Sequence, residues 1–267
     1  MAIVQRHCSS MKMVVAISKS KAMSTSTEFW AMFDGEEVTG CLEKVLTFKY
    51  LGVESALSPA RSAYLMRKRA LGLARRYKAC CLRVSRSGPD TVQVAMATWN
   101  NIAIPSILYG CQSVPFNDTA LNEIERMQAA VVKSVTGLPV SAPNLVAQTV
   151  MGLKYFRHRL YEAQLKYFLR VCRLDRGRWS RDAMECHMAG RWVSPYIANI
   201  AKIKMEVGMV AGPVSMKHVD IALDRHFVRV VNDKIFAMDL PGLEAIDKFA
   251  KMDHVEESKE SQVISIL

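Results

Sequence analysis

The sequence predicts an α+β chain in which a short antiparallel β segment precedes a mainly α-helical bundle. Three observations carry this prediction. Strand-like runs rich in aromatic and β-branched residues are confined to residues 29–53. After Pro59, apolar residues recur at steps of three and four over several long stretches. Half of the 267 residues are apolar, enough for a folded core, yet no apolar run nears the ~20 residues of a membrane helix.

The strand signals come first. Phe29 to Phe33, Asp34-Gly35 and Glu36 to Val38 read as a hairpin, because Asp-Gly suits the positive φ values of a two-residue turn. Val45 to Val53 reads as a further strand, with Gly52 expected at a bulge or a close backbone approach. Beyond Ser58-Pro59 the period becomes helical, and Met66, Ala70, Leu73, Tyr77, Cys80/Cys81 and Val84 trace one apolar seam. Ser87-Gly88-Pro89 ends this helix, and Asp90 can cap the next. A helix from Asn117 or Asp118 presents Leu121, Ile124, Met127, Val131 and Val135 on one face and stops at Gly137 and Pro139. Phe156, Leu160, Ala163, Tyr167, Val171 and Leu174 form the seam of another helix. Leu165, Phe168 and Leu169 make its other faces apolar too, which predicts a place at the centre of the bundle. Past Asp182, glycines and prolines break the chain into short segments; Ile221 to Phe236 fits one helix or a strand pair, and the polar tail from Glu256 is expected to fray.

The net charge of +11 is unevenly distributed. Between Ser55 and Pro89 there are nine basic residues and no acid; between Lys154 and Arg181, nine basic residues face only Glu162 and Asp175. The remainder holds 18 basic and 23 acidic residues, so two segments are basic and the rest is slightly acidic. In the first segment Arg61, Lys68 and Arg75 lie seven apart, as do Arg69, Arg76 and Arg83. Seven residues turn about 700°, so each triplet forms a column and the columns stand about 100° apart. With Arg67 and Lys78 added, this is a broad basic flank opposite an apolar seam. It suits the phosphates of a nucleic-acid duplex better than a solvated face, which usually mixes signs. The narrow seam of Ala, Cys and Tyr argues against an anionic membrane as partner.

In the second segment, Arg170, Arg173, Arg176, Arg178 and Arg181 with Trp179 fit either a grip on a single strand or an ordinary polar helix end. Cys172, Cys186, His187 and His218 lack the spacing of a zinc finger, so no metal site is expected. Nucleophile triads and phosphate-cradling glycine loops are absent. Seven cysteines, two of them adjacent at Cys80 and Cys81, point to a reducing compartment, nuclear or cytoplasmic. The acid-free first 27 residues also fit a mitochondrial transit peptide.

Four stretches together resemble the C-terminal part of a reverse transcriptase of the non-LTR, LINE-like retrotransposon type. Ala16-Ile17-Ser18-Lys19-Ser20-Lys21-Ala22-Met23 is similar to polymerase motif D, with Ala16 where the family has Asn. Phe48-Lys49-Tyr50-Leu51-Gly52-Val53 matches the primer-grip box. Ile104-Pro105-Ser106-Ile107-Leu108-Tyr109-Gly110 resembles the box that follows the first thumb helices, and the Leu121 to Gly137 helix with Met151-Gly152-Leu153 fits the region after it. The resemblance implies a palm remnant in residues 1–57, a helical thumb and connector in 58–181, and a C-terminal region of undetermined fold in 182–267. It further implies that Lys19 lies near the phosphates of an incoming nucleotide, as a general acid for pyrophosphate. Phe48, Tyr50, Leu51 and Gly52 would hold the primer end, while Arg61, Arg67, Lys68, Arg69, Arg75, Arg76, Lys78 and Arg83 would follow the duplex backbone.

Such polymerases hold two Mg²⁺ on a palm Asp and an Asp-Asp box upstream of motif D. This chain has no Asp-Asp pair and starts 18 residues before Lys19. It is therefore expected to hold no cofactor of its own, with Mg²⁺ only where a palm is supplied, and not to polymerise alone. The expected function is template–primer binding by a truncated copy or a reused fragment, with RNA or DNA duplex, the missing polymerase half or a larger assembly as partners. The alternative is an RNA- or protein-binding structural subunit descended from the same fold and imported into an organelle.

Overall fold

In the computed structural model, residues 10–11, 21–22, 43–84, 91–190, 194–209 and 216–236 are described. The predicted hairpin at 29–38, Lys19 and most of the motif D stretch, the Asp90 cap and the polar tail lie outside them. The architecture is α+β as expected: a small antiparallel β pair followed by a succession of helices. The chain divides into two compact units, Met1–Leu223 and Asp224–Leu267.

Strand β1 (Lys21–Ala22) and strand β2 (Glu43–Lys44) form a two-residue parallel ladder. Strands β3 (Thr47–Tyr50) and β4 (Val53–Ala56) pair antiparallel, with Tyr50 opposite Val53 and Thr47 opposite Ala56. The stretch read from sequence as one strand through Val53 is therefore folded back on itself. Leu51 and Gly52 form the two-residue turn, with φ of 47° and 79°. Paired positive φ values are those of a type I′ turn, whose twist matches that of a hairpin. Gly52 is thus the turn glycine rather than a bulge, and Leu51 takes a conformation that an L-residue adopts at a cost of about 1–2 kcal/mol.

Helix α1 (Pro59–Val84) starts directly after the hairpin. Its first residue is Pro, which lacks an N–H that would otherwise go unpaired there. Ser62 ties it to β4: its hydroxyl donates to the Ala56 carbonyl at 2.9 Å and accepts from the Ala56 N–H at 2.8 Å. Helix α2 (Thr91–Ala97) runs into a π-helical turn (Thr98–Ala103) and then helix α3 (Ile104–Leu108). The ring nitrogen of Pro105 has no hydrogen to continue an α-ladder. The turn before it is widened accordingly, and the Ile104 N–H reaches back five residues to the Trp99 carbonyl.

Helix α4 (Asp118–Thr136) has the predicted ends: the Asn117 side chain accepts from the Ala120 N–H at 3.3 Å, and Gly137 closes it at φ 71°. Helix α5 (Asn144–Val150) leads to helix α6 (Phe156–Cys172), then α7 (Trp179–Met188), α8 (Pro195–Val207) and α9 (Met216–Phe236). The last resolves the ambiguity at 221–236 in favour of one helix.

Two main apolar clusters share α6. Its first turns bury Phe156 and Leu160 against Ala70, Ala74 and Cys81 of α1, Trp99, Ile107, and Leu121, Ile124 and Val131 of α4. Its later turns bury Tyr161, Leu165, Phe168, Leu169 and Val171 against Met184 of α7, Ile200 and Ile203 of α8, and Val219 and Leu223 of α9. This is the central place expected for a helix apolar on all faces. Two of the buried polar side chains are paired within the core: Trp99 Nε1 donates to Gln128 at 3.3 Å, and Gln164 donates to the carbonyls of Cys111 and Val114.

Candidate nucleic-acid interface

With Ala70 at the middle of the buried seam of α1, 100° per residue places its cations on three sides of the helix. Arg61, Lys68 and Arg75 lie about 140–180° away, facing solvent; Arg69, Arg76 and Arg83 lie about 100–140° round on one side; Arg67 and Lys78 lie about 60–80° round on the other. Burial follows this map. Arg61, Lys68, Arg75, Arg76 and Arg83 are exposed, while Arg67, Arg69 and Lys78 are half-buried. Ala63, Met66, Ala70, Ala74 and Cys81 are buried. The seam runs through Ala63 and Ala74 where the sequence pattern suggests Leu73 and Cys80; Leu73 is half-buried and Cys80 exposed.

Arg67, Arg69 and Arg75 are engaged by other elements of the fold, and the Arg61 guanidinium lies 5.2 Å from the centre of the Tyr64 ring. Arg67 donates to the Pro115 carbonyl at 3.1 Å. Arg69 donates to the carbonyls of Tyr109 at 2.8 Å and Ser106 at 3.3 Å, and its guanidinium lies 5.6 Å from the centre of the Tyr109 ring. Ser106 and Tyr109 end α3, where carbonyls lose their helical partners, so a cation there completes the helix terminus. Arg75 pairs with Glu123 of α4 at 2.6 Å. Among the described residues, Lys68, Arg76 and Lys78 have no carboxylate partner.

The Arg75–Glu123 pair stands in a groove between α1 and α4. A depression of about 490 Å³ lined by Arg75, Lys78, Leu82, Glu123 and Arg126 lies along it, and one of about 350 Å³ is lined by Tyr64, Arg67, Lys68, Arg75, Asn117 and Glu123. Sequence reasoning misses Arg126 and Glu123 because they lie some 50 residues from the helix they face. The only signal for them is a position on the polar face of their own helix. Cations outnumber the single carboxylate in both depressions, so the groove favours anions.

No protein-family model, curated protein or solved structure matches the chain. The residues expected to hold a primer end lie together at the tip of the β3–β4 hairpin. Phe48 is half-buried in β3, Tyr50 ends that strand, Leu51 projects from the turn with 70% of its surface exposed, and Gly52 completes the turn. Gly110, in the box read after the thumb helices, has a structural reason to be glycine. Its φ is 79°, and a Cβ there would meet the Met66 side chain and approach Val53 Cγ2 to 2.9 Å. Met66 of α1 and Val53 of β4 thus both lie beside Gly110, just past the end of α3.

The second basic segment divides into two halves. Arg157 bonds Asp118 at 2.6 Å and Asn122 at 3.2 Å; Arg159 bonds Asn100 at 2.9 Å, and burial pulls its pKa below the ordinary arginine value; Lys166 pairs with Glu162 and Asp220, each at 2.7 Å. From Arg170 onward the basic side chains are mostly exposed: Arg170, Arg173, Arg176 and Arg178 are exposed, as is Trp179, while Arg181 is drawn inward, to the Leu174 carbonyl and Glu185.

Among the described residues no three His, Cys, Asp or Glu side chains converge as metal ligands would. Nor, among them, is any helix long and apolar enough to cross a membrane.

Proposed function

We propose that this chain binds the phosphate backbone of a nucleic-acid duplex along α1, as the template–primer-binding part of an RNA-directed DNA polymerase whose metal-binding carboxylates it lacks. One observation carries the reading: the solvent-facing half of a 26-residue helix bears cations on three sides and no acid. From Arg61 to Arg83 the helix rises about 33 Å, close to one turn of B-form duplex, ~34 Å. Lys68, Arg76 and Lys78 are uncommitted within the described fold, and Arg126 adds a cation from α4 across the groove. Long flexible cations follow phosphates without reading base edges, so binding should be insensitive to sequence and steeply dependent on salt.

The test is Lys68→Glu with Arg76→Glu, two exposed positions outside the core. Duplex affinity should drop by a similar factor for unrelated sequences, and the salt slope should fall by about 0.9 for each phosphate that is no longer neutralised. Unchanged affinity and slope in fluorescence anisotropy would reduce the basic flank to a solvated face. DNA, RNA and hybrid duplexes run side by side decide which one the helix prefers.

A further inference from the structure

We infer a second nucleic-acid site, for a single strand, at the connection between α6 and α7, with Trp179 as the base-stacking platform and Arg170, Arg176 and Arg178 as the phosphate clamp. It goes beyond duplex binding by α1 and stands on different residues.

Trp179 opens α7 with 91% of its surface exposed. An indole normally buries a large apolar area. The other tryptophan among the described residues, Trp99, is fully buried and hydrogen-bonded. The basic residues around the indole in sequence are all arginines: residues 170–181 contain five Arg, no Lys and one acid, Asp175. Arginine offers a planar fork that meets a phosphate with two hydrogen bonds and a flat face that stacks on bases, neither of which lysine provides.

Two of the three nearby carboxylates are already occupied, while Asp175 is exposed and makes no side-chain bond among the described residues. Asp182 accepts from the Gly177 N–H at 3.3 Å, and Glu185 pairs with Arg181 at 2.8 Å. Backbone needs are met as well, because Arg178 N–H bonds the Asp175 carbonyl and Leu174 N–H bonds the Val171 carbonyl. Arg181 holds the connection in place by donating to the Leu174 carbonyl. Among the described residues, Arg170, Arg176 and Arg178 make no side-chain hydrogen bond or ion pair with the protein. The connection thus leaves an indole and three guanidinium groups exposed, against a single open carboxylate, Asp175. In a duplex the bases are stacked on each other and offer no face to an indole; an unpaired base does, whatever its identity. An acidic peptide would satisfy the arginines but leave the indole without a flat partner. Charge and stacking together therefore select a single-stranded polynucleotide.

The experiment titrates the full chain into fluorescein-labelled oligo(dT) and oligo(U) of about twelve nucleotides, with polyglutamate as the anion without bases. Trp179→Ala should weaken oligonucleotide binding roughly 5- to 150-fold, Trp179→Phe should restore most of it, and polyglutamate binding should not respond to either. Arg176→Gln with Arg178→Gln should lower the salt slope by about 1.4. Trp179 touches no core, so circular dichroism and melting temperature should match the parent in every variant. The inference is overturned if Trp179→Ala binds both oligonucleotides as the parent does, or if polyglutamate binds equally well and loses affinity with the same substitutions. The Lys68→Glu, Arg76→Glu variant separates this site from the other. It should keep single-strand binding while losing duplex affinity, and a failure of duplex binding by α1 leaves the Trp179 result standing.

Discussion

Arg69 and Arg178 belong to the two basic segments of the chain, and their surroundings could hardly differ more. Arg69 lies beside a packed seam, half-buried, with two backbone carbonyls and an aromatic ring as partners. Arg178 caps the start of a surface helix and extends into water. The difference comes from what each stretch of backbone lacks. Helix α3 is only five residues long, so most of its carbonyls have no helical partner, and it ends against α1 where an arginine can reach them. The α6–α7 connection closes its own turns through main-chain hydrogen bonds, and Arg181 bonds its Leu174 carbonyl, with no part taken by Arg178's side chain. Arginines of the first kind belong to the fold, and those of the second remain available to a partner. Counting charge along the sequence treats both alike.

Substitutions can break this contrast, and Gly110→Ala should have the largest effect. The φ of 79° and the approach to Val53 predict a loss of about 2 kcal/mol or more, measured as a lower denaturation midpoint at unchanged slope. A midpoint equal to the parent would mean that the junction of α1, β4 and α3 is loosely packed, and that Arg69 is not held there. Arg69→Ala should come next, at about 1–2 kcal/mol, because it strips partners from the Ser106 and Tyr109 carbonyls. Arg178→Ala should stay within about 0.5 kcal/mol. Equal costs for the two would erase the contrast.

The smallest effect is a change in rate. Burial raises the Cys81 thiol to about 11 and the Cys111 thiol to about 12, so at pH 8 almost none of either is the reactive thiolate. Cys80 is exposed on the same helix as the basic columns. Alkylation followed by peptide mass spectrometry should label Cys80 well before Cys81 and Cys111. Duplex, but not a short single strand, should slow that labelling; equal protection by both would place the two ligands on one surface.

Much of the scaffold is legible in the sequence. The ends of α4 at Asn117 and Gly137 follow from local hydrogen bonding and positive φ, which involve neighbours along the chain. The central place of α6 follows from its apolar faces. The hairpin at 47–56 reads as one strand in sequence because Leu-Gly is a weak turn signal: Leu51 rarely adopts positive φ, and Tyr50 and Val53 look like residues of one strand until they pair. On the site itself, the columns of α1 are legible because helical geometry fixes them from spacing. The engagement of Arg67, Arg69 and Arg75 is not, since their partners lie 37 to 48 residues away.

The amino-acid sequence by itself determined where α4 starts and stops, that α6 is apolar on most of its faces, and that the charge is concentrated in two segments. These properties depend on residues within a turn or two of each other. Only the tertiary structure decided which cations meet a carbonyl or carboxylate and which are left to solvent, because that depends on the packing of α1 against α3 and α4. It also decided that Trp179 stands outside the core while Trp99 lies within it, a distinction that one residue type cannot carry.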